Sequence, residues 1–256
     1  MSDTAKKTQR GRDWRTIVFR VLAALAALLF MTNLRLVLEP WLAQGGPDFR
    51  QWSDAMTVAI AILTVGSLLA TIWKPRAMPL PLQYLAIATV LAVIEVAPFE
   101  GPYIFFVVIP LVLVIAAYPE PRALMRLSPE GSISRPLLAL GLLATVLLAP
   151  GLWLAFSREL QGMSGDWISN FEHTVSLLLA GILASTKRPG WWVLGILTGT
   201  AFLYLGAAAL AVSDAPGSWG AAGGILALLC GAGYIALTLF EVRRTAHVPA
   251  VSREVR

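Results

Sequence analysis

A few ionisable side chains stand out by type and spacing in a chain dominated by apolar residues. Asp166, Asn170 and His173 recur at i, i+4 and i+7, which places three side chains on one stripe of a helix. Glu172 lies about 100° around the same helix, near Ser169 and Ser176. Arg35 and Glu39 are four residues apart in an earlier apolar run, with Asn33 beside them, and Glu95 stands near the end of a third run. A charge in hydrocarbon is costly and is kept where it pairs, moves a proton or holds a ligand. A guanidinium, carboxylates, carboxamides and an imidazole brought together would suit an outward-opening polar cavity for a cation, a proton or a small solute. Histidine is the member most readily switched near neutral pH. The expectation is therefore a polar intramembrane site built from Arg35, Glu39, Glu95, Asn170, Glu172 and His173. The competing reading is purely structural: Arg35 and Glu39 pair with each other, Glu95 snorkels to the surface, and His173 satisfies a neighbouring carbonyl.

Catalytic patterns are lacking. There is no HExxH, no serine or cysteine nucleophile motif and no pair of intramembrane aspartates. One imidazole with two carboxylates could ligate a metal, which leaves that question open. No cofactor is expected. Four lysines, Lys6, Lys7, Lys74 and Lys187, all fall outside the apolar runs, so a retinal Schiff base has no attachment point. Cys230 is the single cysteine, which excludes an internal disulfide, a Cys-rich zinc site and an iron–sulfur cluster. A haem held by both histidines is disfavoured because His247 lies in the C-terminal tail.

The elements that must position these groups follow from composition. Of 256 residues, 57% are hydrophobic and 14% charged, and the mean hydropathy is +0.71, whereas a soluble domain carries about 25% charge. The apolar excess is concentrated in eight runs, near Thr16–Leu38, Asp54–Trp73, Leu80–Ala97, Pro102–Tyr118, Pro136–Phe156, Trp167–Ser185, Trp191–Val212 and Trp219–Glu241. Each approaches the roughly 20 residues a helix needs to cross a bilayer. Ala59 to Ala70 and Val107 to Ala117 are almost continuously apolar, unlike the alternating strands of a membrane barrel. The fold class read from this pattern is all-α, a polytopic transmembrane bundle of about eight helices. A basic tail over 1–15 precedes a transmembrane domain over 16–242, and a short tail follows over 243–256. The first run reads as an uncleaved signal anchor, because no small-residue cleavage site follows its core. The third and fourth runs are the weakest spans, separated only by the short turn holding Pro98 and Pro102, and a re-entrant hairpin is their alternative.

The distribution of charge gives the orientation. With the N-terminus in the cytoplasm and eight crossings, 17 of the 20 lysines and arginines fall inside, and only Arg35, Arg50 and Arg158 fall outside. Both termini are then cytoplasmic. This topology also explains the net charge of +5 without recourse to nucleic acid. All nine tryptophans lie at span ends, Trp14, Trp73, Trp191 and Trp192 at the inner border and Trp41, Trp52, Trp153, Trp167 and Trp219 at the outer one. The rarity of lysine beside arginine and the abundance of alanine fit a GC-rich bacterial genome, hence a bacterial cytoplasmic membrane.

Small residues recur every fourth position near the end of the chain. Gly195 with Gly199, and Gly220 with Gly224, form GxxxG pairs that let two backbones approach, and Gly223, Ala227 and Gly231 extend the second stripe. These glycines are read first as helix packing within the chain and second as a dimer seam. Pro110 and Pro150 lie inside spans and can kink them. The function that fits best is a non-enzymatic membrane protein, transporter-like or ligand-binding, with its polar site in the outer half of the bilayer. The alternative is a structural or accessory subunit that packs with partner helices. The lipid bilayer is the certain partner, and a homo-oligomer or a second membrane protein is the further partner class.

Overall fold

A computed structural model describes residues 3–42, 48–96, 103–125, 133–162 and 167–246, with side chains described over 14–42, 48–93, 106–124, 133–162 and 167–244. The Glu95 side chain, Asp166, the Pro98–Pro102 turn and residues 247–256 of the C-terminal tail lie outside the described residues. Every described element is helical: α1 (Asp3–Met31), a 3-10 segment (Thr32–Leu38), α2 (Glu39–Leu42), α3 (Phe49–Trp73), α4 (Pro79–Val96), α5 (Tyr103–Ala117), α6 (Pro121–Met125), α7 (Arg135–Leu160), α8 (Trp167–Ser185), α9 (Trp191–Ala211) and α10 (Gly220–Ala246).

Five stretches are long and apolar enough to cross a bilayer: Trp14–Leu42, Phe49–Trp73, Arg135–Leu160, Trp191–Ala211 and Gly220–Arg244. The apolar parts of α4 and α5 are shorter, at Pro79–Val93 and Phe106–Ala117. α8 has 19 residues, but Asn170, Glu172, His173 and several hydroxyls dilute its apolar character. The chain is an all-α, multi-pass membrane architecture.

Helix ends are set by local chemistry. Asp48 caps α3 through a reciprocal capping box, in which Gln51 N–H donates to Asp48 Oδ1 at 2.9 Å and Asp48 N–H donates to Gln51 Oε1 at 3.4 Å. Ser134 caps α7 by accepting from Leu137 N–H, with Pro136 in the first turn, where its missing N–H costs nothing. Gly190 opens α9 with a φ of 94°, a conformation that L side chains rarely adopt, and the backbone there is so close to Met78 that a Cβ would lie 3.2 Å from its Cα.

Burial separates central helices from peripheral ones. The windows of α3 and α9 are 61% buried, against 22% for those of α1 and α7. α3 and α9 pack on each other, α1 and the 3-10 segment lie against α3, and α10 lies along α9. α7 pairs with α8, and α4 bridges α5 to α8. Peripheral helices keep apolar stripes outward, as with Ile17, Val21, Leu25 and Leu28 on α1 or Leu142, Leu143 and Val146 on α7. In water such stripes would drive aggregation, whereas in lipid they meet acyl chains.

The α9–α10 seam is the tightest contact in the bundle. A Cβ at Gly199 would sit 2.8 Å from Gly231 O, one at Gly206 2.7 Å from Gly224 O, and one at Gly195 would collide with Thr238 Oγ1. Gly220 lies elsewhere, in the first turn of α10 with a φ of 66° and its nearest neighbour, Ser213 O, at 3.8 Å. Trp52 and Trp167 are buried rather than spread along the headgroups. They build an aromatic cap in which Phe49 and Trp167 rings lie 4.7 Å apart and Trp52 and Trp219 rings 5.2 Å apart.

Candidate functional site

The polar face of α8 is turned inward. Asn170, Glu172, Thr174 and Ser176 are all buried, although an outward face would have been the cheaper place for them in water. Ser176 Oγ donates to Glu172 Oε1 at 2.8 Å, one helical turn away, and His173 Nε2 lies 3.6 Å from Glu172 Oε2. Thr174 Oγ1 donates to Asn170 O at 2.8 Å. A carboxylate and a hydroxyl are thus hydrogen-bonded on a single helix, with an imidazole beside them.

Several buried polar atoms around this group have no hydrogen-bond partner among the described residues: both side-chain atoms of Asn170, His173 Nδ1 and the Tyr84 hydroxyl. Tyr84 comes from α4, is 1% exposed and lies within range of the Glu172 charge. The roof is the α9–α10 turn, where Gly217, at φ 82°, leaves room for Phe49, Trp167 and the Asn170 carboxamide, whose Nδ2 lies 3.6 Å from its added Cβ. Leaving a buried donor or acceptor unmade costs about 1–3 kcal/mol. Three of these four atoms stand on α8 itself, near the Glu172–Ser176 pair and the Phe49–Trp167 rings; this buried polar patch is the α8 recess.

The other expected site residues are placed differently. Arg35 and Glu39 are exposed, on the segment packed mainly against α3 and α1. Their i, i+4 spacing would align them on an α-helix, but at three residues per turn it leaves them about 120° apart. No ion pair joins them among the described residues. The turn is held by Tyr204, whose hydroxyl donates to Val37 O at 3.2 Å and whose ring meets Trp41 at 6.0 Å. The structure therefore places Asn170 and Glu172 in the interior, with His173 half-buried beside Glu172, and leaves Arg35 and Glu39 exposed. Among the described residues, no three His, Cys, Asp or Glu side chains cluster as a metal-ligand set.

A second charged cluster lies at the opposite end of the bundle and was not among the expected site residues. Glu241 of α10 accepts from Ser134 Oγ at 2.5 Å and pairs through Oε2 with Lys187 Nζ at 2.9 Å. Ser134 N–H donates to Ser185 O at 2.8 Å, and Leu80 N–H donates to Pro189 O at 3.2 Å. Lys187, at φ 51°, and the buried Arg188 belong to the α8–α9 turn. This cluster ties the ends of α7, α8 and α10 together. Its signal in the sequence is an acidic residue at the basic end of the last span. Compared with known protein families, characterised proteins and solved structures, the chain matches none.

Proposed function

We infer that the chain is an eight-span protein with both termini in the cytoplasm, set in a bacterial cytoplasmic membrane. Its α8 recess is a binding site for a proton, a cation or a small polar solute entering from the outer half of the bilayer. The observation that carries this reading is the set of unpartnered buried atoms on Asn170, His173 and Tyr84 around the Glu172–His173 pair. Buried polar groups are almost always hydrogen-bonded, so such a set calls for an occupant. The chemistry fits a site that switches occupancy: Glu172 supplies a carboxylate, Ser176 and Asn170 supply neutral oxygens, and His173 adds a second proton-binding group.

The scaffold alternative is less well supported, because the small-residue stripe it would use is consumed inside the chain between α9 and α10. A hydrophobic carbodiimide tests the binding reading, since it modifies protonated carboxyls in apolar surroundings. Peptide mapping of the full-length protein in lipid should show modification at Glu172 that fades as pH rises, and none in Glu172→Gln. A Glu172 that stays unmodified at every pH, while other carboxyls react, would favour the scaffold.

A further inference from the structure

The corner where α1 meets the α3–α4 turn holds a pocket of about 260 Å³, lined by Thr16, Arg20, Lys74, Pro75, Arg76 and Ala77. Three of its six lining residues are cationic, and among the described residues one carboxylate is paired with them, Glu120, 3.7 Å from Arg76. Arg20 is positioned rather than loose, because its Nε donates to Ile72 O at 3.1 Å at the end of α3, which leaves its terminal nitrogens for a ligand. Arg76 Nη2 reaches Thr16 Oγ1 at 3.4 Å across the pocket. Lys74 has no ionic partner among the described residues. The turn beneath is rigid: Tyr118 Oη donates to Pro75 O at 2.7 Å, and its ring meets Phe19 edge-on at 5.4 Å.

The pocket also sits at a particular depth. Trp73, beside Lys74, is 80% exposed, and Trp14, half a turn before Thr16, is 66% exposed. Exposed indoles at the ends of apolar helices belong at the headgroup layer. Immediately beyond them Ile17, Val21 and Leu69 face outward, so the pocket opens where an acyl chain would run along α1 and α3. We propose that Arg20, Lys74 and Arg76 bind a phosphate group presented by an anionic lipid, with the glycerol in the pocket and the acyl chains along the α1–α3 surface. Basic pockets between membrane helices hold anionic headgroups in this way. The proposal is independent of the α8 recess and needs only that this corner lie at headgroup level.

Native mass spectrometry of the full-length protein tests it, with phosphatidylglycerol and phosphatidylcholine as lipid probes and inorganic phosphate as the soluble one. The wild type should retain phosphatidylglycerol in preference to phosphatidylcholine. Lys74→Gln should weaken that retention about fivefold, the effect of one cation near the surface, while Arg244→Gln, at the end of α10, should not. Arg20→Lys keeps the charge if loss of the Ile72 contact prevents Arg20→Gln from folding, and it should retain more lipid than Lys74→Gln. Binding of inorganic phosphate that competes with the lipid and is lost in Lys74→Gln would keep the phosphate site but move its source to solution. Equal retention of phosphatidylglycerol by the wild type and Lys74→Gln would overturn the proposal.

Discussion

At the scale of single residues, the bundle holds polar groups in two distinct ways. Glu241 is satisfied, by Ser134 and Lys187, whereas Asn170 and Tyr84 are buried without partners among the described residues. The first arrangement stabilises and the second invites a ligand. Glu241→Gln should therefore destabilise the fold by about 1–3 kcal/mol, because it leaves the Lys187 ammonium, only 24% exposed, without its counter-charge. Thermal denaturation in detergent would show it. The double variant Lys187→Met with Glu241→Leu should lose less than the two single losses combined, since an unpaired buried charge costs more than none. The sequence reveals that α8 carries an unusual stripe, because ionisable residues in an apolar run are conspicuous. It conceals the Lys187–Glu241 pair, whose members are far apart in the chain, and the burial of Tyr84, which depends on helix packing.

At the scale of elements, hydrophobicity marks helices well and winding poorly. A helix stands at each of the eight apolar runs, but the C-terminal part of the first winds as a 3-10 segment over Thr32–Leu38. Nothing in the apolar pattern distinguishes three from 3.6 residues per turn over so short a stretch. The tertiary contacts from Tyr204 to Val37 and Trp41 hold it. The glycine stripes are more legible: Gly199 and Gly224 sit where backbones nearly touch, Gly195 makes room for the Thr238 side chain, and Gly206, outside either GxxxG pair, shares the seam. Gly199→Leu should force α9 from α10, because even a Cβ there meets Gly231 O at 2.8 Å. The expected loss is about 1–3 kcal/mol, the usual range for overpacking, read as a lower melting temperature in detergent. Gly220→Ala should act differently, through its φ of 66° rather than through crowding.

At the scale of the whole molecule, the proposed orientation rests on the asymmetry of basic residues. In the proposed eight-span topology, Lys187, Arg188 and the Arg20–Lys74–Arg76 pocket fall on the basic side, and the α8 recess lies toward the other. Reporter fusions after Arg76, Arg135 and Arg188 should report the cytoplasm, and fusions near Asp48, Gly162 and Asp214 the outside; an external signal after Arg135 would break the eight-span topology. The proposed orientation can be read from sequence at all because basic residues act locally during insertion. Which polar side chains meet depends on helix–helix contacts and is not carried by composition. The depth and access of the α8 recess are therefore the decisive quantities. His173 stands six residues into α8 from Trp167, about 9 Å along the helix. The most direct measurement is cysteine accessibility in intact membranes, with Cys230 replaced by alanine and single cysteines at Asn170, His173 and, as a lipid-facing control, Leu142. A membrane-impermeant thiol reagent added from outside should modify Asn170→Cys and His173→Cys and spare Leu142→Cys. If both recess positions react only after denaturation, or only from the cytoplasmic side, the recess is not an outward-opening binding site.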